Sequence, residues 1–163
     1  MKLKIAILAF ALAASCGTAQ AVTSITSTFQ VKIAITANCI FSTGAAADLD
    51  FGTQGVLAAN VDQSSTIQVQ CTNTTPYNIG LNGGSVSGSV TARQMVGPAS
   101  AKINYILFRD SLRTLNWGNT VGNTLSAVAD GTPITHTVYG RVPAQTTPAA
   151  GSYAATVTVT VTY

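Results

Sequence analysis

The feature that most constrains this chain is its last eleven residues, Tyr153-Ala154-Ala155-Thr156-Val157-Thr158-Val159-Thr160-Val161-Thr162-Tyr163. Odd positions are apolar throughout, and even positions after Ala154 are all Thr. A period of 2 held this long describes a strand with one face in a core and one in water. The β-branched and aromatic residues suit a pleated surface. Nothing follows Tyr163 in the sequence, so the expectation is that one edge of this strand stays uncovered. A second stretch of the same kind, Phe29-Gln30-Val31-Lys32-Ile33-Ala34-Ile35-Thr36-Ala37, lies near the other end. A long apolar edge without a partner invites pairing with another chain. The pair of stretches therefore reads as a device for polymerisation.

The first 21 residues read as a signal peptide. Lys2 and Lys4 give a positive start, Ile5 to Ala14 an apolar run, and Ala19-Gln20-Ala21 a small-residue cleavage site. Cys16 offers a lipoprotein alternative, but Ala13-Ala14-Ser15 lacks the usual large aliphatic residue before it. The expected product is exported, begins at Val22 and is long enough for one domain with a true core. In it Lys32, Arg93, Lys102, Arg109, Arg113 and Arg141 nearly balance Asp48, Asp50, Asp62, Asp110 and Asp130. No concentrated basic patch results, which argues against nucleic acid as a partner. Glu is absent and Thr, Ser, Gly, Ala and Val dominate, a composition for strands and turns. Cys39 and Cys71 are an even pair in an exported chain and read as a disulfide rather than as two free buried thiols.

Between these landmarks the chain is a series of short strands and turns. Ala45 to Gly52 reads as a strand and turn, and Ser65 to Cys71 alternates cleanly. Tyr77 to Leu81 alternates again and stops at Asn82-Gly83-Gly84, a hairpin or loop signal. Ile103 to Arg109 reads as a strand buried on both faces or across a bend. Ile134 to Val142 is another strand, and Pro143 to Gly151 a turn before the last. About seven strands with no helical periodicity point to an all-β, immunoglobulin-like β-sandwich.

A set of short motifs then carries a resemblance. Leu49-Asp50-Phe51-Gly52, Arg93-Gln94-Met95, Tyr105-Ile106-Leu107-Phe108-Arg109-Asp110, Trp117-Gly118, Tyr139-Gly140-Arg141-Val142-Pro143 and Pro148-Ala149-Ala150-Gly151-Ser152-Tyr153 stand in this order, followed by the Val-Thr run. The ensemble resembles spore coat protein U domains, a family that includes subunits of archaic chaperone–usher pili. The resemblance implies an incomplete sandwich lacking its final strand, completed by a donor strand from another subunit. It also implies a periplasmic chaperone, an outer-membrane usher and other pilus subunits as partners, and a place on the cell surface. In that frame residues 22–38 are the donor segment and 39–163 the pilin domain. Phe29, Val31, Ile33 and Ile35 are the donor side chains. Val157, Val159, Val161 and Tyr163 form the acceptor groove and chaperone contact. The alternative is that Phe29 to Ala37 belongs to this chain's own sandwich and Val22 to Thr28 is the donor. Val22 and Ile25 are out of phase with each other, which favours the Phe29 segment.

No catalytic constellation is evident, and no metal site or cofactor is expected. His136, the single histidine, sits between Thr135 and Thr137 in an alternating strand and reads as structural. Asp48 and Asp50 share one side of a strand and imitate a carboxylate pair, but Leu49 and Phe51 between and after them mark a solvated strand face. Gly84-Ser85-Val86-Ser87-Gly88 imitates a nucleophile elbow except that its centre is Val86. Arg93, Arg109 and Arg141 suit loop anchoring through carbonyls or an Asp such as Asp110. Trp117 suits the end of a core more than a sugar-stacking face. The expected function is a structural pilus subunit supporting adhesion and biofilm formation. The competing readings are a monomeric exported carbohydrate-binding module and a coat protein of a resting cell.

Overall fold

The computed structural model describes residues 22–42 and 46–163; the expected signal peptide and lipoprotein cysteine lie outside them. The chain divides into two units, Met1–Ala34 and Ile35–Tyr163. Residues 22–34 carry no helix or strand. Among the described residues the second unit holds eight strands, β1 (Cys39–Phe41), β2 (Val61–Cys71), β3 (Pro76–Leu81), β4 (Arg93–Val96), β5 (Lys102–Phe108), β6 (Leu125–Val128), β7 (Ile134–Val142) and β8 (Val159–Thr162). A single helical turn, α1, spans Gly84–Ser87.

Every pairing is antiparallel, in a five-stranded sheet of order β1-β2-β7-β5-β4 and a three-stranded sheet of order β6-β3-β8. The sequence pattern decides which faces turn inward. On β2, Ser65, Ile67, Val69 and Cys71 are buried while Thr66 is exposed and Gln68 and Gln70 are partly so. On β3, Tyr77, Ile79 and Leu81 are buried, and with Tyr105 and Leu107 of β5 and Val138 and Val142 of β7 they form one core. This is the immunoglobulin-like sandwich expected from the strand count.

Several boundaries differ from the sequence reading. Ala45 to Gly52 was expected to be a strand. The described part of it makes one ladder-like bond, from the Ala47 N–H to Thr66 O at 3.0 Å, before Asp50 accepts the Gly52 N–H and turns the chain. The first regular strand is instead β1, with β4 and β6 as short strands that too few residues announce. The final stretch alternates in burial from Tyr153 to Thr162, yet only Val159–Thr162 forms a regular strand. The reason is that it changes sheets. Ala154 bridges to Val96 of β4, and five residues later the chain pairs with β3.

Two internal ties fix the sandwich. Cys39 and Cys71 are joined, with their Cα atoms 4.0 Å apart. They face each other directly across β1 and β2. Their neighbours Asn38 and Thr72 carry the backbone bond, so the cysteines occupy the closer, non-hydrogen-bonded kind of pair. The second tie is Arg93, fully buried. Its guanidinium donates to Asn82 O at 2.9 Å, Val90 O at 2.7 Å, Leu81 O at 3.0 Å and Trp117 O at 2.7 Å. Burial pushes it down to about 10, so it remains charged at neutral pH and its charge is shared among four carbonyl dipoles. Trp117 is likewise fully buried and donates from Nε1 to Ile79 O at 2.8 Å, which leaves no ring face for a sugar.

Two outcomes are expected. Arg93→Lys keeps the charge but loses the planar fork, leaving carbonyls unpaired, and should cost roughly 2–4 kcal/mol in chemical denaturation. Reducing the disulfide opens a loop whose closure contributes about 3.7 kcal/mol in the entropic model. Intact mass with and without reductant should show the two-proton difference and no alkylatable thiol in the native protein.

Candidate functional site: an open edge above an apolar groove

The site is built on the final strand. β8 ends its sheet, paired with β3 on one side, and among the described residues no strand pairs with its other side. Just before β8, the Asn82 N–H donates to Thr158 O at 3.1 Å and the Ser85 N–H to Thr156 O at 2.9 Å. The Thr158 N–H donates to Asn82 Oδ1 and the Thr156 N–H to Ser85 Oγ. The threonines thus direct their backbone groups toward β3 and α1. Backbone groups alternate along a strand, so Val157 and Val159 present theirs to the open edge.

Beside that edge lies a groove made of two adjoining cavities of about 870 Å³ and about 570 Å³. Residues 46–57 form one wall and residues 147–159 the other. The floor is the inner face of the large sheet, with Ile67 of β2, Leu107 and Ile103 of β5, Val138 and Val142 of β7, and Met95 of β4. Leu49, Phe51 and Tyr153 belong to both cavities.

Glycines and tyrosines shape the walls. A Cβ on Gly140 of β7 would meet Leu49 and Phe51 side-chain atoms at 2.8–2.9 Å, so Gly140 lets that wall close on the sheet. A Cβ on Gly97 would meet the Tyr153 ring at 2.6–2.8 Å. Tyr153 lies there with its hydroxyl donating to Ala149 O at 2.7 Å. At the far end the Tyr163 hydroxyl donates to Asn38 Oδ1 at 3.1 Å.

Of the expected acceptor residues, Val157 and Val159 line the groove, Val161 packs on the core, and Tyr163 is more than half exposed and lies outside the lining of both cavities. The opposite wall and the floor were not anticipated as site residues. The alternation of Leu49 and Phe51 was the available signal. The expected donor side chains are exposed, Phe29 at 87%, Val31 at 85%, Ile33 at 86% and Ile35 at 72%.

The residues weighed for chemistry have structural surroundings. His136 is half-buried, with Nε2 2.8 Å from the Tyr77 hydroxyl. Arg109 donates to Gly122 O and Thr124 O, and Arg141 makes a paired contact with Asp62 at 2.7 Å. Among the described residues the Asp110 carboxylate makes no ion pair with an arginine; it accepts the N–H groups of Thr114 and Leu115 and holds that loop. Among the described residues no three His, Cys, Asp or Glu side chains cluster as a metal site.

The histidine generates a pH prediction. Burial lowers the pKa of His136 below its ordinary 6.5. The stability from keeping it neutral is complete above about pH 6.5 and is lost as pH falls through its folded value. Chemical denaturation at pH 7 and pH 5 should show a loss of at most about 1.4 kcal/mol per pH unit from this group. His136→Gln should lack that part of the dependence.

Comparison with known proteins adds the following. The family model for the Spore Coat Protein U domain matches residues 25–160. "Protein U" of Myxococcus xanthus is 34% identical over 138 residues, which is 77% of each chain. Among solved structures, the chain is similar to one in the CsuC–CsuE chaperone–tip adhesion subunit pre-assembly complex from the archaic chaperone-usher Csu pili of Acinetobacter baumannii. There the TM-score is 0.56 at 28% identity, covering 79% of this chain and 40% of that one. It thus spans less than half of that relative's length. A chaperone-usher pilus structure that reveals the basis of rod uncoiling matches with a TM-score of 0.56 at 13% identity, over 93% of this chain and 99% of that one. The last likeness bears on fold alone.

Proposed function

Because the chain belongs to the Spore Coat Protein U domain family, we propose that it is a structural subunit of a surface pilus assembled by strand exchange through the chaperone–usher route. The observation that carries this reading is the combination of an open strand edge above an apolar groove with an exposed apolar segment of matching period in the same chain. A strand laid beside Val157 and Val159 pairs the free backbone groups and drops alternate side chains onto the floor. Phe29, Val31, Ile33 and Ile35 are those side chains. At 1.5–3 kcal/mol for each large apolar side chain buried, four of them supply roughly 6–12 kcal/mol before the ladder bonds contribute.

The same exposure explains a need for partners. Before a second subunit arrives, the groove and the edge are an aggregation hazard. A periplasmic chaperone that occupies the groove and an outer-membrane usher that presents the next subunit answer that hazard. Export with removal of residues 1–21 and display on the cell surface follow, with adhesion and biofilm formation as the role of the finished fibre. No enzymatic step enters this account.

The test separates the two faces of the donor. Ile33→Asp puts a carboxylate where an apolar pocket receives a branched side chain, at a cost of several kcal/mol. Lys32→Asp alters the opposite face and should be mild. Polymers resistant to heat on a gel, or fibres seen by microscopy, should be lost in the first variant and kept in the second. Equal polymerisation by both would sink the assignment.

A further inference from the structure

The end of the strand that bears the open edge and the root of the chain's own proposed donor segment lie at the same place. Asn38 stands just before β1 and Tyr163 just after β8, with the phenol donating to Asn38 Oδ1 at 3.1 Å. Two strands flanking a missing third stand roughly 10 Å apart, twice the ladder spacing. A tyrosine and an asparagine meeting end to end cover that span. The walls run antiparallel, since residues 46–48 share one cavity with 154–157 and residues 52–57 share the other with 147–152.

A segment preceding Asn38 that turned straight back into this groove would form a hairpin with its own wall. Such a reversal needs a two-residue turn with positive φ, the chemistry of Asn-Gly. The chain has Ala37-Asn38 here, and neither residue has positive φ. The reversal also needs the Asn38 backbone to be free, and Thr72 holds it. The Thr72 N–H donates to Asn38 O at 2.9 Å, and the Asn38 N–H donates to Thr72 Oγ1 at 3.0 Å. The same hydroxyl donates to Thr36 O at 3.0 Å. These bonds carry the β1–β2 ladder past Cys39 where β2 itself turns away, as the Thr75 N–H bond to Thr72 O shows. The adjacent disulfide fixes their register.

We propose that Thr72 and Tyr163, meeting on Asn38, form a latch against self-insertion. They hold residues 36–38 in line with β1 and bar the end of the strand that bears the open edge, so that Phe29 to Ile35 is left for a second copy of the chain. A second copy's strand is not tethered at Asn38 and enters without unwinding those residues. The latch rests on the groove reading above.

The experiment compares the refolded Val22–Tyr163 chain with Thr72→Val, Tyr163→Phe and the double variant. Three readouts apply: polymer formation, uptake of a labelled Phe29–Ala37 peptide, and trypsin cleavage at Lys32, the first tryptic site after Val22. The double variant should show about tenfold more monomer that neither polymerises nor takes up peptide, the effect of losing one or two side-chain hydrogen bonds. Its Lys32 should be cut more slowly and its melting temperature should rise, because the groove is filled. A lower melting temperature with faster Lys32 cleavage marks a merely structural role and overturns the latch. So does polymerisation at the wild-type rate with Lys32 equally open. Tyr163→Phe removes one hydroxyl and leaves the β8 valines, so it decides the matter if Thr72→Val folds poorly.

A chain lacking residues 22–34 separates the two claims, since both sheets, the core and the disulfide lie within Ile35–Tyr163. If it takes up the peptide while the latch variants behave like wild type, only the latch fails. If it does not take up the peptide, the groove reading fails and the latch with it.

Discussion

A strand has hydrogen-bonding groups along both edges, and β8 has a partner along one. The groove, the exposure of Val157 and Val159 backbone groups and the demand for another chain all descend from that imbalance. The imbalance persists because the last stretch is shared between sheets. It leaves β4 at Ala154 and reaches β3 at Val159, so it spans the sandwich along the line where a further strand would sit. Burial alternates from Tyr153 to Thr162, and the odd-numbered side chains up to Val161 are committed to the core even where the backbone is not committed to a ladder.

The recurring motifs acquire separate physical reasons once placed. Arg93 gathers the carbonyls of Leu81, Asn82, Val90 and Trp117, fixing the end of β3 against which β8 pairs. Gly140 makes room for Leu49 and Phe51, and Gly97 for Tyr153. Leu49 and Phe51 shape one wall and Tyr153 the other, so two glycines set how closely the walls approach the floor. These residues stand far apart in the chain and meet only around the groove. A motif set with no chemistry in it is what a binding groove for a strand requires.

The proposed donor segment and acceptor groove illustrate one economy. A period of 2 with β-branched residues serves a strand inside a sandwich and a strand offered to another molecule equally well. Phe29, Val31, Ile33 and Ile35 are therefore built like Val157, Val159 and Val161. What distinguishes them is tether and timing: residues 36–38 are fastened to Thr72, while the groove stays open at its far end. Such fastening costs little in a folded domain and biases which of two chemically equivalent insertions occurs.

Sequence by itself determined the class of this protein. Alternation located β2, β3, β7 and the inward face of the last stretch, because a period of 2 is a local property that packing only has to respect; a continuous apolar run located β5. The cysteine pair and the apolar face of Phe29 to Ile35 were readable for the same reason. Tertiary structure decided the rest. β1, β4 and β6 have three or four residues each, too few for a pattern, and exist because longer neighbours offer them a ladder. The stretch Ala45 to Gly52 reads as a strand and turn, and its described residues belong instead to a groove wall, since Leu49 and Phe51 find room over Gly140, far away in sequence. Where the Tyr163 hydroxyl settles depends on Asn38, 125 residues away. No periodicity encodes a contact of that range, so only the folded arrangement could place it.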